Sequence, residues 1–570
     1  MKGVNEDALI GKVDEREQID FYPTGYRIGR TKYIFITGGV MSGVGKGVFT
    51  ASLAHLLKHY GFTVTAIKID GYLNIDAGTL NPYRHGETFV LADGTECDMD
   101  LGTYERFIGE SLDAGNYLTS GKLYQMVIRK ERAGEYLGRD VLVIPHVTGE
   151  IKAFLRRKAH EKPYDILCVE IGGTVGDIEN VHFTEAARQM VHDEGRDNVM
   201  FVQVTMLPYS DTSGDQKTKP TQHSVKKLLE LGIQPDVIVC RTHGPLQKRA
   251  REKISLYCNV SEESVISSPE LENIYSLPSE LDKQGLATIA AQRLRIQLPR
   301  HASAQIPLGK YAAFVANPPS RTLKIAIAGK YAPSRDSYVS VVNALRHAEP
   351  DLGVRIAVRF IDTKLYDAPS ADVAAVAHDL DGVVVPGGYG KRGVEGMIKF
   401  IRYCREHGVP FLGLCFGFQL ASVEFARNVC GLEGASSTEV DPDTKHPVIT
   451  LLKEQRTQTD LGATQRLGDQ KVRIVENTLA HKLYGELTIR ERFRHRWELN
   501  PSYRAVLEQR GLVFSGFSAD DQIAQLFEYP SHLFYFASQF HPEYTSRPLA
   551  PHVLFMAFVR AAMERSAAAK

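Results

Sequence analysis

Phe411-Leu412-Gly413-Leu414-Cys415-Phe416-Gly417-Phe418-Gln419 runs from an apolar strand pattern, through a cysteine set between two glycines, into a helical pattern. That order reads as a nucleophile elbow: a tight strand-to-helix turn lifts a reactive side chain, and glycines leave room around it. Such a cysteine needs a base and an orienting group. Ser538-Gln539-Phe540-His541-Pro542-Glu543 supplies both far downstream. Read as extended chain, His541 and Glu543 face the same side, so the acid can orient the imidazole. Cys415, His541 and Glu543 therefore fit acyl transfer on an amide or ester. The amide of Phe416 and the backbone near Gly388 are candidate oxyanion donors.

Outward from the elbow, the apolar runs Leu323–Ala328 and Gly382–Pro386 alternate with helical patterns. An earlier series contains Tyr33–Thr37, Thr63–Ile69, Asp165–Glu170, Met200–Thr205 and Asp236–Cys240. This βα rhythm predicts two α/β domains with mainly parallel sheets, the first doubly wound. Between them, residues 296–322 carry Pro299, Pro307, Pro318 and Pro319 with little periodicity, a linker signal. The expected organisation is an N-terminal extension (1–30), a first domain (31–295), the linker (296–322), a second domain (323–562) and a tail (563–570).

At 570 residues the chain exceeds one core. Lysine plus arginine and aspartate plus glutamate are 68 each, so no bulk attraction to nucleic acid or anionic membrane is expected. No apolar run approaches a membrane span, and the acid-bearing start lacks a signal-peptide core. The seven cysteines (97, 168, 240, 258, 404, 415 and 430) have no CxxC spacing, which suits reduced thiols in a cytoplasmic setting. All but Cys415 read as small buried hydrophobes.

Gly38-Gly39-Val40-Met41-Ser42-Gly43-Val44-Gly45-Lys46-Gly47 lies between strand and helix, where backbone N–H groups can cradle phosphate. It departs from the ordinary phosphate loop: five residues separate Gly39 from Gly45, and Gly47 replaces a hydroxyl residue. By itself it reads equally as a glycine turn. Glu170 ends an apolar strand ahead of a glycine run, a position that suits a magnesium ligand; for Asp100 the residues leave the choice open. Lys217-Thr218-Lys219-Pro220-Thr221-Gln222-His223 fits a polyphosphate, but a short basic stretch is more often a solvated face.

Together these strings resemble the CTP synthase family, in order, over roughly residues 31–560. The resemblance also includes Asp70–Asp76, His85–Glu87, Asp98–Gly102, Tyr104–Phe107, Arg129–Arg132, Val169–Glu179, Cys258–Val260, Gly329–Tyr331, Pro386–Gly390, Arg392–Met397, Ser437–Glu439 and Arg494–Arg496. Other amidoligases, such as those acting on cobyrinate-like acids, should lack Lys217–His223. A partitioning-type ATPase would not need the elbow half, and a catalytically inactive scaffold need not keep Lys46, Glu170, Cys415 and His541.

The resemblance implies ATP-dependent phosphorylation of UTP at O4, then displacement by ammonia from glutamine to give CTP. It implies phosphoryl-transfer roles for Lys46 and Lys68, an ATP loop of Ser42, Gly43, Val44, Gly45, Lys46 and Gly47, and Mg2+ ligands Asp100 and Glu170. UTP, or inhibitory CTP, would meet Ser42, Asp177, Ile178, Glu179, Lys217, Thr218, Lys219, Pro220, Thr221, Gln222 and Lys253. Glutamine would meet Gly388, Phe416, Gly417, Phe418, Gln419, Glu439 and Arg496, and Arg392–Gly396 matches a lid tied to GTP activation. A flavodoxin-like class I glutaminase fold, an internal ammonia tunnel, a homotetramer arranged as a dimer of dimers and filament formation are further implications. Departures from the family pattern are Gly43 for serine, Gly71 and Ala77 for prolines, Thr103 for histidine, and a shortened stretch between Pro447 and Leu467 with Ala463 for glycine.

Overall fold

The computed structural model describes residues 21–212, 214–298, 306–451 and 465–568. The described residues form two compact units, one within the ranges Met1–Asp76 and Ala114–Ala312, the other within Ala77–Asp113 and Ala313–Lys570. Helix Gly309–Ala316 lies within the proline-bearing stretch 296–322. Most of the expected extension, part of that stretch, Ala463 and the last two residues lie outside the described residues.

The first unit holds a seven-stranded sheet in the order Val265–Pro269, Val237–Thr242, Val199–Met206, Lys32–Gly39, Ile166–Ile171, Val64–Asp70, Tyr117–Thr119. Every pairing is parallel. Val64–Asp70 and Ile166–Ile171 are buried along their whole length, mostly apolar but carrying the charged Lys68, Asp70 and Glu170. The chain leaves Lys32–Gly39 towards one edge, returns through Ile166–Ile171, then crosses to Val199–Met206 on the other side. The strand order therefore reverses around Lys32–Gly39. The carboxyl edge beside such a reversal is where open α/β sheets take their ligands.

The second unit has a nine-stranded sheet in the order Arg355–Asp362, Thr322–Gly329, Gly382–Val385, Phe411–Leu414, Tyr535–Ser538, Ala524–Glu528, Val513–Ser518, Arg466–Ile474, Thr488–His495. Pairings are parallel as far as Tyr535–Ser538 and antiparallel beyond it. Alternation along the central strands feeds two cores: Val383, Val385 and Phe411 enter one, Val384, Leu412 and Leu414 the other. Among the described residues no helix is long and apolar enough to cross a membrane.

Candidate active site

In the second unit Cys415 turns strand Phe411–Leu414 into helix Phe416–Asn428. Its backbone takes φ 50 and ψ −96, a conformation that a residue with a side chain keeps only where its surroundings hold it. They do so on each side. The Cys415 N–H donates to Ser538 O at 2.7 Å, and Cys415 O accepts from the Gln419 N–H at 3.1 Å. The thiol donates to Arg494 O at 3.5 Å, and Gln539 Nε2 donates to the sulfur at 3.6 Å. Gly417 is required by packing: a Cβ there would lie 2.1 Å from Val385 O.

His541 Nδ1 meets Glu543 Oε1 at 2.7 Å, and both residues are buried. The pair is not the extended run expected from the sequence. His541 caps a short helical turn, Pro542–Thr545, and the turn carries the acid back to the ring. Pro542 suits the first position of that turn, where its missing N–H has no partner to lose. Burial disfavours the imidazolium, but the charge of Glu543, with Cys415 close by, outweighs it and raises His541 to about 10. Tyr544 stacks on the ring at 4.7 Å and 10°. A Cβ on Gly387 would come within 3.1 Å of the His541 ring and 3.8 Å of the Cys415 Cβ, so a glycine keeps the space beside nucleophile and base open. A cavity of about 60 Å³ lies there, lined by Cys415, His541, Glu543, Gly387, Gly388, Tyr389 and Arg494 among others.

Of the residues expected at glutamine, Gly388 lines this cavity. Phe418 is buried in the core against Phe527, and Gln419 donates to Trp497 O at 2.7 Å, so both support the elbow from behind. Glu439 accepts the Gly390 N–H at 2.7 Å, and burial raises its carboxyl. Arg496 is half-buried between strands Thr488–His495 and Trp497–Leu499. Lys330, Tyr389, Gln539 and Arg494 all lie within strings quoted from the sequence, which gave none of them a role. Lys330 donates to Tyr389 O (2.7 Å) and Gly390 O (2.5 Å) and lies 4.5 Å from the Phe416 ring centre. Burial lowers its ammonium to about 8. Gln539 lies inside the quoted His541 string and Arg494 beside Arg496, but nothing in the spacing marked either.

In the first unit the glycine loop joins strand Lys32–Gly39 to helix Lys46–His59. Gly43 and Gly45 have φ 72 and 92; Ser42 and Gly43 are exposed, while Val44, Lys46 and Gly47 are buried. Glycine takes the left-handed backbone at Gly43 at no steric cost. Lys46 Nζ donates to Gly173 O at 2.7 Å and passes Gly38, where a Cβ would lie 2.7 Å from it. Lys68 and Glu170 are register partners on adjacent strands, their side chains 2.9 Å apart and buried. Asp177 accepts the N–H and hydroxyl of Thr174, each at 2.7 Å; Ile178 is exposed, and Glu179 lies close to Gly71.

A separate pocket of about 240 Å³ is lined by Lys217, Thr218, Lys219, Gln222 and Lys253, with Arg249 and Tyr257. Asp177, Ile178, Glu179 and Ser42 are not among its lining residues. Pro220 opens helix Lys219–Glu230, and Thr221 turns its hydroxyl to Thr205 at 2.8 Å. Arg249 was missed; it lies on helix Lys248–Cys258 with Lys253. Asp100 belongs to the second unit, in the first turn of helix Met99–Ile108.

A buried cysteine, histidine and glutamate thus meet on the sheet of the second unit, and a glycine loop follows a central strand of the parallel sheet of the first. Residues 32–296 match the family described as CTP synthase N-terminus, and residues 334–561 match glutamine amidotransferase class-I. The CTP synthase of Thermococcus gammatolerans is 53% identical over 94% of this chain and 99% of its own. That of Pyrococcus furiosus is 51% identical over 94% and 98%. The solved glutaminase domain of Trypanosoma brucei CTPS, with bound acivicin, is 34% identical with a TM-score of 0.40, covering 42% of this chain and 94% of its own. The chain belongs to the CTP synthase family.

Proposed function

We propose that the chain aminates UTP at C4 to CTP through a 4-phosphorylated UTP intermediate, with ATP as phosphoryl donor and glutamine as nitrogen source. The observation that carries this reading is the buried His541–Glu543 pair at one cavity with Cys415, on the same chain as a glycine loop carrying buried Lys46 and a neighbouring strand carrying buried Lys68. Cys415 attacks the glutamine amide, His541 moves the proton, and Glu543 holds the imidazole. The N–H of Phe416 and the backbone of Gly388 receive the oxyanion; Glu439 and Arg496 hold the charged end of glutamine. The ammonia released passes between the domains.

Lys46 and Lys68 stabilise the transferring phosphoryl group. Magnesium, when bound, neutralises charge on the phosphates. Glu170 fits it, being a carboxylate at the carboxyl end of a central strand, and Mg2+ needs only one or two protein carboxylates beside phosphate oxygens and water. Asp100 is the second ligand in this reading. Lys217 to Gln222 and Lys253 take the UTP phosphates, with Asp177, Ile178, Glu179 and Ser42 completing the UTP site and serving CTP feedback. Regulation by GTP, assembly as a homotetramer with capacity for filaments, and work in the cytosol belong to the same reading.

The test is chromatography of products after incubation with glutamine, ATP, magnesium and GTP, with UTP or other candidate acceptors. A CTP peak dependent on UTP is expected. Glutamate release without CTP would keep the glutaminase and reject the acceptor.

A further inference from the structure

We propose that Glu96 is a positioning residue for the glutaminase nucleophile: acting through Arg494, it ties Cys415 to the chain segment that carries Asp100. This rests on the reading that Cys415 hydrolyses glutamine and that Asp100 serves the nucleotide site.

Segment Ala77–Asp113 belongs to the second unit and grips strand Thr488–His495 at two alternate positions. Glu105 Oε2 accepts from Arg492 Nη1 at 2.8 Å and from Arg547 at 2.5 Å. Glu96 Oε1 accepts from Arg494 Nε at 2.8 Å. Arginines two apart on a strand share a face, so one segment holds both. The turn of the small hairpin between Phe89–Val90 and Glu96–Cys97 also docks on the neighbouring strand. A Cβ on Gly468 would lie 2.6 Å from Gly94 N, and the Asp469 N–H donates to Ala92 O at 2.9 Å.

The backbone of the same two arginines meets the catalytic pair. Arg492 O accepts the His541 N–H at 2.8 Å. Arg494 O accepts the Cys415 thiol at 3.5 Å and the Tyr389 hydroxyl at 3.3 Å. The Arg494 guanidinium lies 5.4 Å from the Tyr389 ring centre. Glu96 is 2% exposed, and its Oε2 has no hydrogen-bond partner among the described residues. Glu96 thus commits one oxygen to Arg494 and leaves the other unbonded, whereas Glu105 uses both, Oε2 on Arg492 and Arg547 and Oε1 on the Leu112 N–H. On the other side, Asp98 caps helix Met99–Ile108 by accepting the Asp100 N–H at 2.8 Å, so strand, cap and Asp100 form a short continuous path. A shift at Asp100 thus reaches Cys415 through Glu96 and Arg494.

The experiment compares full-length wild type, Glu96→Gln and Arg494→Lys. Glutamine hydrolysis is measured with and without ATP, UTP and magnesium, and CTP formation from ammonium is measured alongside. In wild type, nucleotides should stimulate hydrolysis about tenfold. In Glu96→Gln that stimulation should fall to about twofold or less, with ammonium-driven synthesis within about twofold of wild type. A merely structural pair would lower hydrolysis equally with and without nucleotides. Arg494→Lys keeps the charge but loses the Nε donor, and should show the same loss of stimulation; it decides the matter if Glu96→Gln does not fold. Wild-type stimulation in the variants, or no stimulation in wild type, overturns the proposal. Absence of glutamine hydrolysis in wild type would instead overturn the functional reading beneath it.

Discussion

The elbow around Cys415 and the glycine loop around Lys46 build their sites in opposite ways. Cys415 is 4% exposed, and its strained backbone is locked by bonds to Ser538 and Gln419. The glycine loop is open at its tip, with Val40 44% and Met41 51% exposed. The glutaminase half carries its geometry in protein contacts alone. The synthetase half offers backbone donors and cations, which suit a polyanion that completes the arrangement as it binds. Damage should therefore act locally and on chemistry in the first unit, but through packing as well in the second.

The largest expected effect is that of Lys46→Ala, which should lower CTP formation about 10³-fold from glutamine and from ammonium alike. Loss confined to one donor would break the comparison. Glu543→Gln should lower glutamine-driven CTP formation about 10²-fold and leave ammonium-driven formation standing. Steady-state rates with the two donors check both variants.

Thermal unfolding sharpens the contrast in packing. Gly417→Ala places a Cβ 2.1 Å from Val385 O and should destabilise by about 1–3 kcal/mol. Gly43→Ala meets no neighbour within 4 Å and carries only the cost of a left-handed backbone, about 1 kcal/mol. Equal losses would contradict the distinction. The smallest effect is a pH dependence. His541 is held at about 10, above its ordinary ~6.5. Its stabilising share is therefore complete below pH ~6.5 and lost as pH rises through about 10. The stability gap between wild type and Glu543→Gln should narrow between pH 7 and pH 10 in thermal scans.

What was legible in the sequence was what local chemistry decides. A cysteine between glycines demanded a turn, and the alternation of apolar strand patterns with helical ones pointed to mainly parallel sheets. The partnership of His541 with Glu543 was legible too, although its helical geometry was not: Pro542 reads as extended chain or as the first position of a helical turn, and only packing decides. The membership of Ala77–Asp113 in the second unit was not legible. It depends on pairs such as Glu96 with Arg494 and Glu105 with Arg492, whose members stand 398 and 387 residues apart. No local pattern announces such pairs. Arg249 escaped notice for the same reason, since its pocket is assembled from separate helices.

The central claim is that two separable chemistries share this chain, and one measurement tests it most directly. Wild type and Cys415→Ala are each supplied with ATP, UTP, magnesium and GTP, and the rate of CTP formation is followed with glutamine and then with ammonium. The account predicts that the variant makes no CTP from glutamine and makes it from ammonium at the wild-type rate. CTP from glutamine in Cys415→Ala, or loss of synthesis from both donors in a folded variant, would contradict it.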